Sequence, residues 1–205
     1  MMLPTREIAE QILAEAAALN PGPWVQHSRN VALAARLIAG RHPRLDPDTA
    51  DILGLLHDIG RREGPSYIRH LIDGYRYLAG LGYADAGRIS LTHSFPVADL
   101  RVYMGEWDCS AVDLQFLEDF ITTTEMSEYD RLIQLCDGIA LPEGFCLMEK
   151  RIVDVARRYG INDVTVKGWE VRFKIKAEIE AAIGESIYRV LPGVVETTFG
   201  EDMFS

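Results

Sequence analysis

The sequence predicts an all-α fold, a helical bundle in a single domain. Three observations carry that prediction. Apolar residues recur at steps of three and four along almost the whole chain, the period of an amphipathic helix. No stretch of useful length alternates apolar and polar residues as a half-buried strand does, and no repeat or Gly/Ser linker divides the chain. The 205 residues make one ordinary domain, long enough to bury about 70% of its unfolded surface.

The elements follow in order. Residues 5–19 carry Ile8, Ile12, Ala16 and Leu19 at helical steps, with Thr5 as a cap and Asn20-Pro21-Gly22-Pro23 as a stop. The next helix spans 24–41, with Val31, Ala34, Ala35 and Ile38 on one face. After a turn around Pro43 and Pro47, Asp46 or Asp48 starts a helix carrying Ile52, Leu53, Leu55, Leu56 and Ile59, ended by Gly60. A polar loop, 61–65, leads to a helix over 66–81 with Gly82 as its C-cap. Residues 84–94 read as helix, stopped by Pro96, and 97–108 give no clear pattern. Helices are expected at 110–123, 127–141, 146–159 and 164–183. The last carries Trp169, Phe173, Ile179 and Ile183, a stripe that packs back on the core or, in a homodimer, on a second copy. Residues 194–205 read as a loosely ordered tail. The domain is thus expected to hold an N-terminal helix (1–22), a central core (23–145) and a C-terminal helical extension (146–205).

Composition narrows the function. Of the residues, 48% are hydrophobic and 25% charged, which excludes a disordered chain. Acids outnumber bases 31 to 21, for a net charge of −10. Duplex nucleic acid is therefore not an expected partner, because binding it takes a basic footprint. An anionic small molecule would need a local positive centre, from a metal or a few arginines. The bases are mostly arginine, with only four lysines, and arginine holds phosphate through two parallel hydrogen bonds. The three cysteines form no C-x-x-C pair and no secretory signal precedes them, so a reducing cytoplasm is expected. The longest uncharged stretch, 16–28, is short and broken by Pro21, Gly22 and Pro23, so no membrane span is expected.

The chemistry concentrates at Leu55-Leu56-His57-Asp58-Ile59-Gly60. An ionised Asp at the end of so apolar a helix is costly unless a cation compensates it, and His and Asp are both common metal ligands. The alternative is a helix C-terminus at which His57 meets the dipole and Asp58 is solvated. Asp137 lies in the apolar run 132–141 and needs either a metal or an arginine partner. His27 lies on the apolar face of its helix, and His70 and His93 fall between the doublet and Asp137, each individually weak. His42 reads as a solvated turn residue.

Taken together, His27, His57-Asp58 and Asp137 resemble the H…HD…D signature of the HD-domain superfamily of metal-dependent phosphohydrolases. The surroundings match as well, in Trp24-Val25-Gln26-His27, Gly54-Leu55-Leu56-His57-Asp58-Ile59-Gly60-Arg61 and Tyr129-Asp130-Arg131-Leu132-Ile133-Gln134-Leu135-Cys136-Asp137. The resemblance covers residues 23–141 and implies a helical bundle of the HD-domain type. It further implies a first metal on His27, His57, Asp58 and Asp137, and a second on His70 and His93 with Asp58 bridging. Asp58 would then help position the attacking water. Arg61 and Arg62, next in the chain, are expected to hold the substrate, with Arg61 also catalytic. The His-rich set suits iron or manganese best, with Co, Zn, Ni or Mg as alternatives. The implied activity is hydrolysis of a phosphate ester or anhydride of a small molecule, a nucleotide being the favoured class. A mixed-valence di-iron oxygenase on the same scaffold and a non-catalytic nucleotide-binding module are the alternatives. Ser28, Thr92, Ser94 and Glu125 are candidates for supporting the ligands.

Overall fold

The structure is a computed structural model that describes residues 1–200. The described residues form eleven α-helices and one small hairpin. α1 (Arg6–Leu19) starts behind Thr5, whose hydroxyl accepts the Ile8 amide at 3.3 Å. Its buried stripe is Ala9, Ile12, Leu13 and Ala16. Ile8 and Leu19, expected on that stripe, are exposed, so the helix is rotated by about one residue from the expected face. α2 (Pro23–Ala39) buries Val31, Ala34, Ala35 and Ile38, the face read from its periodicity. α3 (Pro47–Leu56) begins behind Asp46, whose carboxylate accepts the Thr49 amide at 2.7 Å. α2 and α3 pack backbone to backbone, since a Cβ at Gly54 would lie 2.8 Å from Ala32 Cα.

α3 stops at Leu56, four residues before the expected end, and Ile59–Glu63 tighten into a 3₁₀ turn. α4 (Arg69–Gly80) lies against that turn, and α5 (Ala84–Thr92) returns alongside α4. The patternless 97–108 segment holds a single 3₁₀ turn, Leu100–Val102. α6 (Ala111–Thr123) is capped by Ser110. α7 (Glu128–Asp137) opens with a capping box between Ser127 and Asp130. It also ends early. β1 (Ala140–Leu141) pairs antiparallel with β2 (Gly144–Phe145), Ala140 opposite Phe145, where a continuous helix to 141 was expected. Pro142 cannot continue a helix, and Gly144 takes the φ of +146° that the return requires.

α8 (Met148–Tyr159) and α9 (Thr165–Ile183) follow, then two short helices, α10 (Ile187–Val190) and α11 (Val194–Phe199). α11 replaces the first half of the expected loose tail, while residues 201–205 lie outside the described part. On α9, Ile175 and Ile179 are buried and Trp169 and Ile183 pack on the core, whereas Phe173 is exposed.

Two apolar clusters make up the core. The larger joins α1, α2, α3 and α7 to Ile175 and Ile179 of α9 and Ile187 of α10. The smaller joins Ile68, Leu71, Leu91, Phe95, Leu117 and Ile121 of the α4–α6 region. A polar seam runs between them and carries the doublet. No helix among the described residues is long and apolar enough to cross a membrane.

Candidate metal centre

The early end of α3 shapes the site. His57 is the C-cap of α3, and Asp58 follows outside the helix with φ −103°, ψ 14°. Both side chains are buried. His57 Nδ1 lies 2.7 Å from the Gly54 carbonyl, one of the carbonyls that a helix end leaves unpaired. A carbonyl only accepts, so Nδ1 carries the proton and Nε2 turns its lone pair inward. The same device recurs twice. His70, near the start of α4, donates Nδ1–H to the Tyr67 carbonyl. His93, the C-cap of α5, donates Nδ1–H to the Ile89 carbonyl at 3.1 Å. Three imidazoles are thereby fixed in orientation and tautomer by backbone, the arrangement that strengthens a histidine as a ligand.

Their free nitrogens converge on Asp58. His70 Nε2 lies 3.0 Å and His93 Nε2 3.6 Å from Asp58 Oδ1, and His57 Nε2 lies 3.9 Å from Asp58 Oδ2. His27 reaches in from the second turn of α2, its Nε2 3.1 Å from Oδ1 of Asp137, the last residue of α7. Asp137 Oδ1 is also 3.9 Å from His57 Nε2. Two trios result, His27–His57–Asp58 and Asp58–His70–His93, whose donor atoms lie within 4.8 Å of one another. Asp58 belongs to both.

The donors are left unsatisfied. His57 Nε2, His70 Nε2 and Asp58 Oδ1 are all buried without a hydrogen-bond partner among the described residues. Each such group costs about 1–3 kcal/mol. Protonating His57 would not relieve its nitrogen, since burial opposes the charge. Burial, with His57 close by, drives the His93 pKa down to about 3, and burial also lowers that of His57. Both are neutral at neutral pH and offer lone pairs. Burial pushes the Asp58 carboxyl up, but Arg61, His70 and His57 together hold it well below the ordinary range. Asp137 is likewise held low against burial by the facing His27. Neutral imidazoles and ionised carboxylates are the forms that ligate a cation. The C-terminal, negative ends of α3, α5 and α7 all meet here and favour positive charge.

Of the residues singled out from the sequence, six come together: His27, His57, Asp58, His70, His93 and Asp137. Arg61 joins them. Its Nε donates to Asp58 Oδ2 at 2.6 Å, and its carbonyl is held by Asn20 Nδ2 at 2.6 Å. Arg62 does not join them. Its guanidinium lies 3.8 Å over the Tyr77 ring, because consecutive residues of the turn point apart. Arg29 pairs with Glu10 on the outer face of α2. Thr92 donates to Asp130 at 2.6 Å, Glu125 offers only its carbonyl, to Arg88, and Ser94 reaches the cavity wall. The hydroxyl of Ser28 is buried and unpartnered.

The cluster lies at the floor of a cavity of about 430 Å³, the size of a small-molecule site. Trp24 and Tyr103 form part of its walls, and burial raises the Tyr103 phenol so that it stays a donor. Arg151, Arg158 and Arg172, not among the residues expected from the sequence, also line it. One signal was legible, since Arg172 has no acid three or four residues away on its helix.

A family model described as HD domain matches residues 24–141. No curated protein and no solved structure matches the chain.

Proposed function

The chain belongs to the HD-domain family, and from that premise we propose that it is a metal-dependent phosphohydrolase acting on a small phosphorylated molecule, with a nucleotide as the favoured class. One observation carries the reading: three buried, unpartnered donor atoms, His57 Nε2, His70 Nε2 and Asp58 Oδ1, face one another beside a small-molecule cavity. His27, His57, Asp58 and Asp137 would hold a first divalent ion. His70 and His93 would hold a second, with Asp58 shared. Iron or manganese suits such a set. When bound, these ions lower the pKa of water and polarise a phosphoryl oxygen.

The chain's own residues do the rest. Arg61 fixes Oδ2 of Asp58 and keeps the carboxylate ionised, which leaves Oδ1 directed at the ligand trio. Asp58, so fixed, would help position a water at the metal site. Arg61 also lines the cavity, where its positive charge offsets that of the phosphoryl oxygens. Trp24, anchored by its indole N–H on the Asn20 carbonyl at 2.8 Å, walls the site against bulk water.

The test is metal analysis of untagged protein together with phosphate release from phosphorylated small molecules. The reading expects one or two transition-metal ions per chain and phosphate release that Asp58→Asn lowers at least about a hundredfold, since even residues that only support metal ligands are worth about 10–100-fold and Asp58 would be a shared ligand. Undiminished release in that variant would refute the site. Oxygen uptake with no anaerobic phosphate release would favour the di-iron oxygenase instead.

A further inference from the structure

The cavity has two ends of different origin. The His/Asp floor comes from the part of the chain that the HD family model covers. The facing wall comes from α8 and α9, beyond residue 141. α8 turns Arg151, Val155 and Arg158 inward, at steps of four and three. α9 does the same with Thr165, Trp169 and Arg172. None of the three arginines forms an ion pair among the described residues, although arginines elsewhere in this acidic chain commonly do. The Nε of Arg172 is buried and has no hydrogen-bond partner among the described residues. Arg172 is close enough to Asp137 to feel its charge and to Arg151 to be repelled by it.

Charge in the cavity is therefore out of balance. Arg61, Arg151, Arg158 and Arg172 line it, against only Asp58 and Asp137. The excess is two positive charges before any cation binds, in a chain whose net charge is −10. Arg151 and Arg172 are half-buried with no ion pair, while Arg158 is exposed at the rim and donates Nε to the Asp154 carbonyl at 3.3 Å; a guanidinium withdrawn from water without a counter-charge is unfavourable unless an anion completes it. A guanidinium presents parallel donors that match phosphate oxygens. A single phosphoryl group at the floor would leave the arginine wall unsatisfied.

We propose that Arg151, Arg158 and Arg172 form a second anion subsite, so that the substrate carries at least two phosphate groups, one over the His/Asp cluster and one on this wall. The proposal rests on the hydrolase reading for the first phosphate but not for the second. A cavity of about 430 Å³ is the size that takes one small molecule.

The subsite is tested without metal, by calorimetric titration of chelator-treated full-length protein with inorganic pyrophosphate. Saturable binding is expected, weakened at least tenfold by Arg172→Met and by Arg151→Met. Arg158→Gln, on a more exposed side chain, should weaken it in the same direction and guards against misfolding of the first two. Arg36→Met, outside the cavity, should leave it unchanged. No saturable binding, or equal binding in all the cavity variants, would overturn the subsite. If binding depends on the arginines yet the metal-loaded protein releases no phosphate, the subsite stands and the hydrolase reading falls. If metal-dependent hydrolysis proceeds while pyrophosphate binding ignores the arginines, the subsite alone falls.

Discussion

Replacing Gly60 by alanine should separate the two halves of the metal centre. Gly60 sits in the 3₁₀ turn after the doublet and presses on α4. A Cβ there would lie 2.5 Å from the Gly74 amide nitrogen and closer still to the His70 carbonyl oxygen. Ordinary carbon–oxygen contacts are about 3.3–3.6 Å, so the turn and α4 must part by roughly 1.5 Å. Both obstacles are backbone, which cannot rotate aside as a side chain would. Overpacking of this kind costs about 1–3 kcal/mol, and a clash with helix backbone belongs at the upper end. For a chain of this length, 3 kcal/mol lowers Tm by roughly 6–12 °C. His70 moves with α4, and metal–ligand distances tolerate only about 0.2 Å. The variant should therefore bind less metal at the His70–His93 side as well as melt earlier. Differential scanning calorimetry and metal analysis measure both. Gly80→Ala is the control, because a Cβ there meets nothing within 4 Å. A Gly60→Ala protein that melts within about 2 °C of wild type with full metal content would refute the packing argument.

Three further outcomes are expected. In metal-free protein, stability should fall with acidification from about pH 6.5 toward 3, because the unfolded chain protonates His93 near 6.5 while the folded one resists to about 3. That difference is worth up to about 5 kcal/mol; His57 adds in the same direction, and Asp58 and Asp137, held low, add further loss below about pH 4. Urea unfolding that is flat between about pH 7 and pH 5 would contradict this. Adding a divalent transition metal at about a hundred times its Kd should raise stability by about 2.7 kcal/mol, read as an upward shift in Tm, and an unchanged melt would count against the ligand set. Ser127→Ala removes the capping box of α7 and should cost about 1 kcal/mol by chemical denaturation, with metal content intact, since Asp137 stands at the opposite end of that helix.

Much of this site was legible in the chain, and the reasons differ by residue. His57 and Asp58 stand out because two polar groups interrupt a run of leucine and isoleucine, and burial makes such groups expensive. The end of α3 was not legible. Ile59 falls three residues after Leu56, a step that α and 3₁₀ geometry share, so periodicity over one turn does not separate them. The hairpin at 140–145 was hidden because two-residue strands show no alternation. Arg61 and Arg62 look equivalent in sequence, yet one meets Asp58 and the other Tyr77. The arginine wall was the least legible feature, because it exists only once α8 and α9 fold back over the end of α7.

That folding back gives the polar seam its logic. Asp58 and Asp137 lie where two apolar clusters meet, and a core of this kind would ordinarily exclude carboxylates. Arg61 answers one oxygen of Asp58, and His27 answers Asp137. The remaining donors stay unanswered, and three helix C-termini add negative potential at the same place. The fold thus spends stability to keep a cation site preformed at the floor of the cavity. Across the same cavity the opposite imbalance holds, with arginines lacking acids. A cation on one side and an anion on the other would each remove a local excess of charge. On the proposal made above, one ligand with two phosphate groups, spanning the metal site and the arginines, would satisfy both at once.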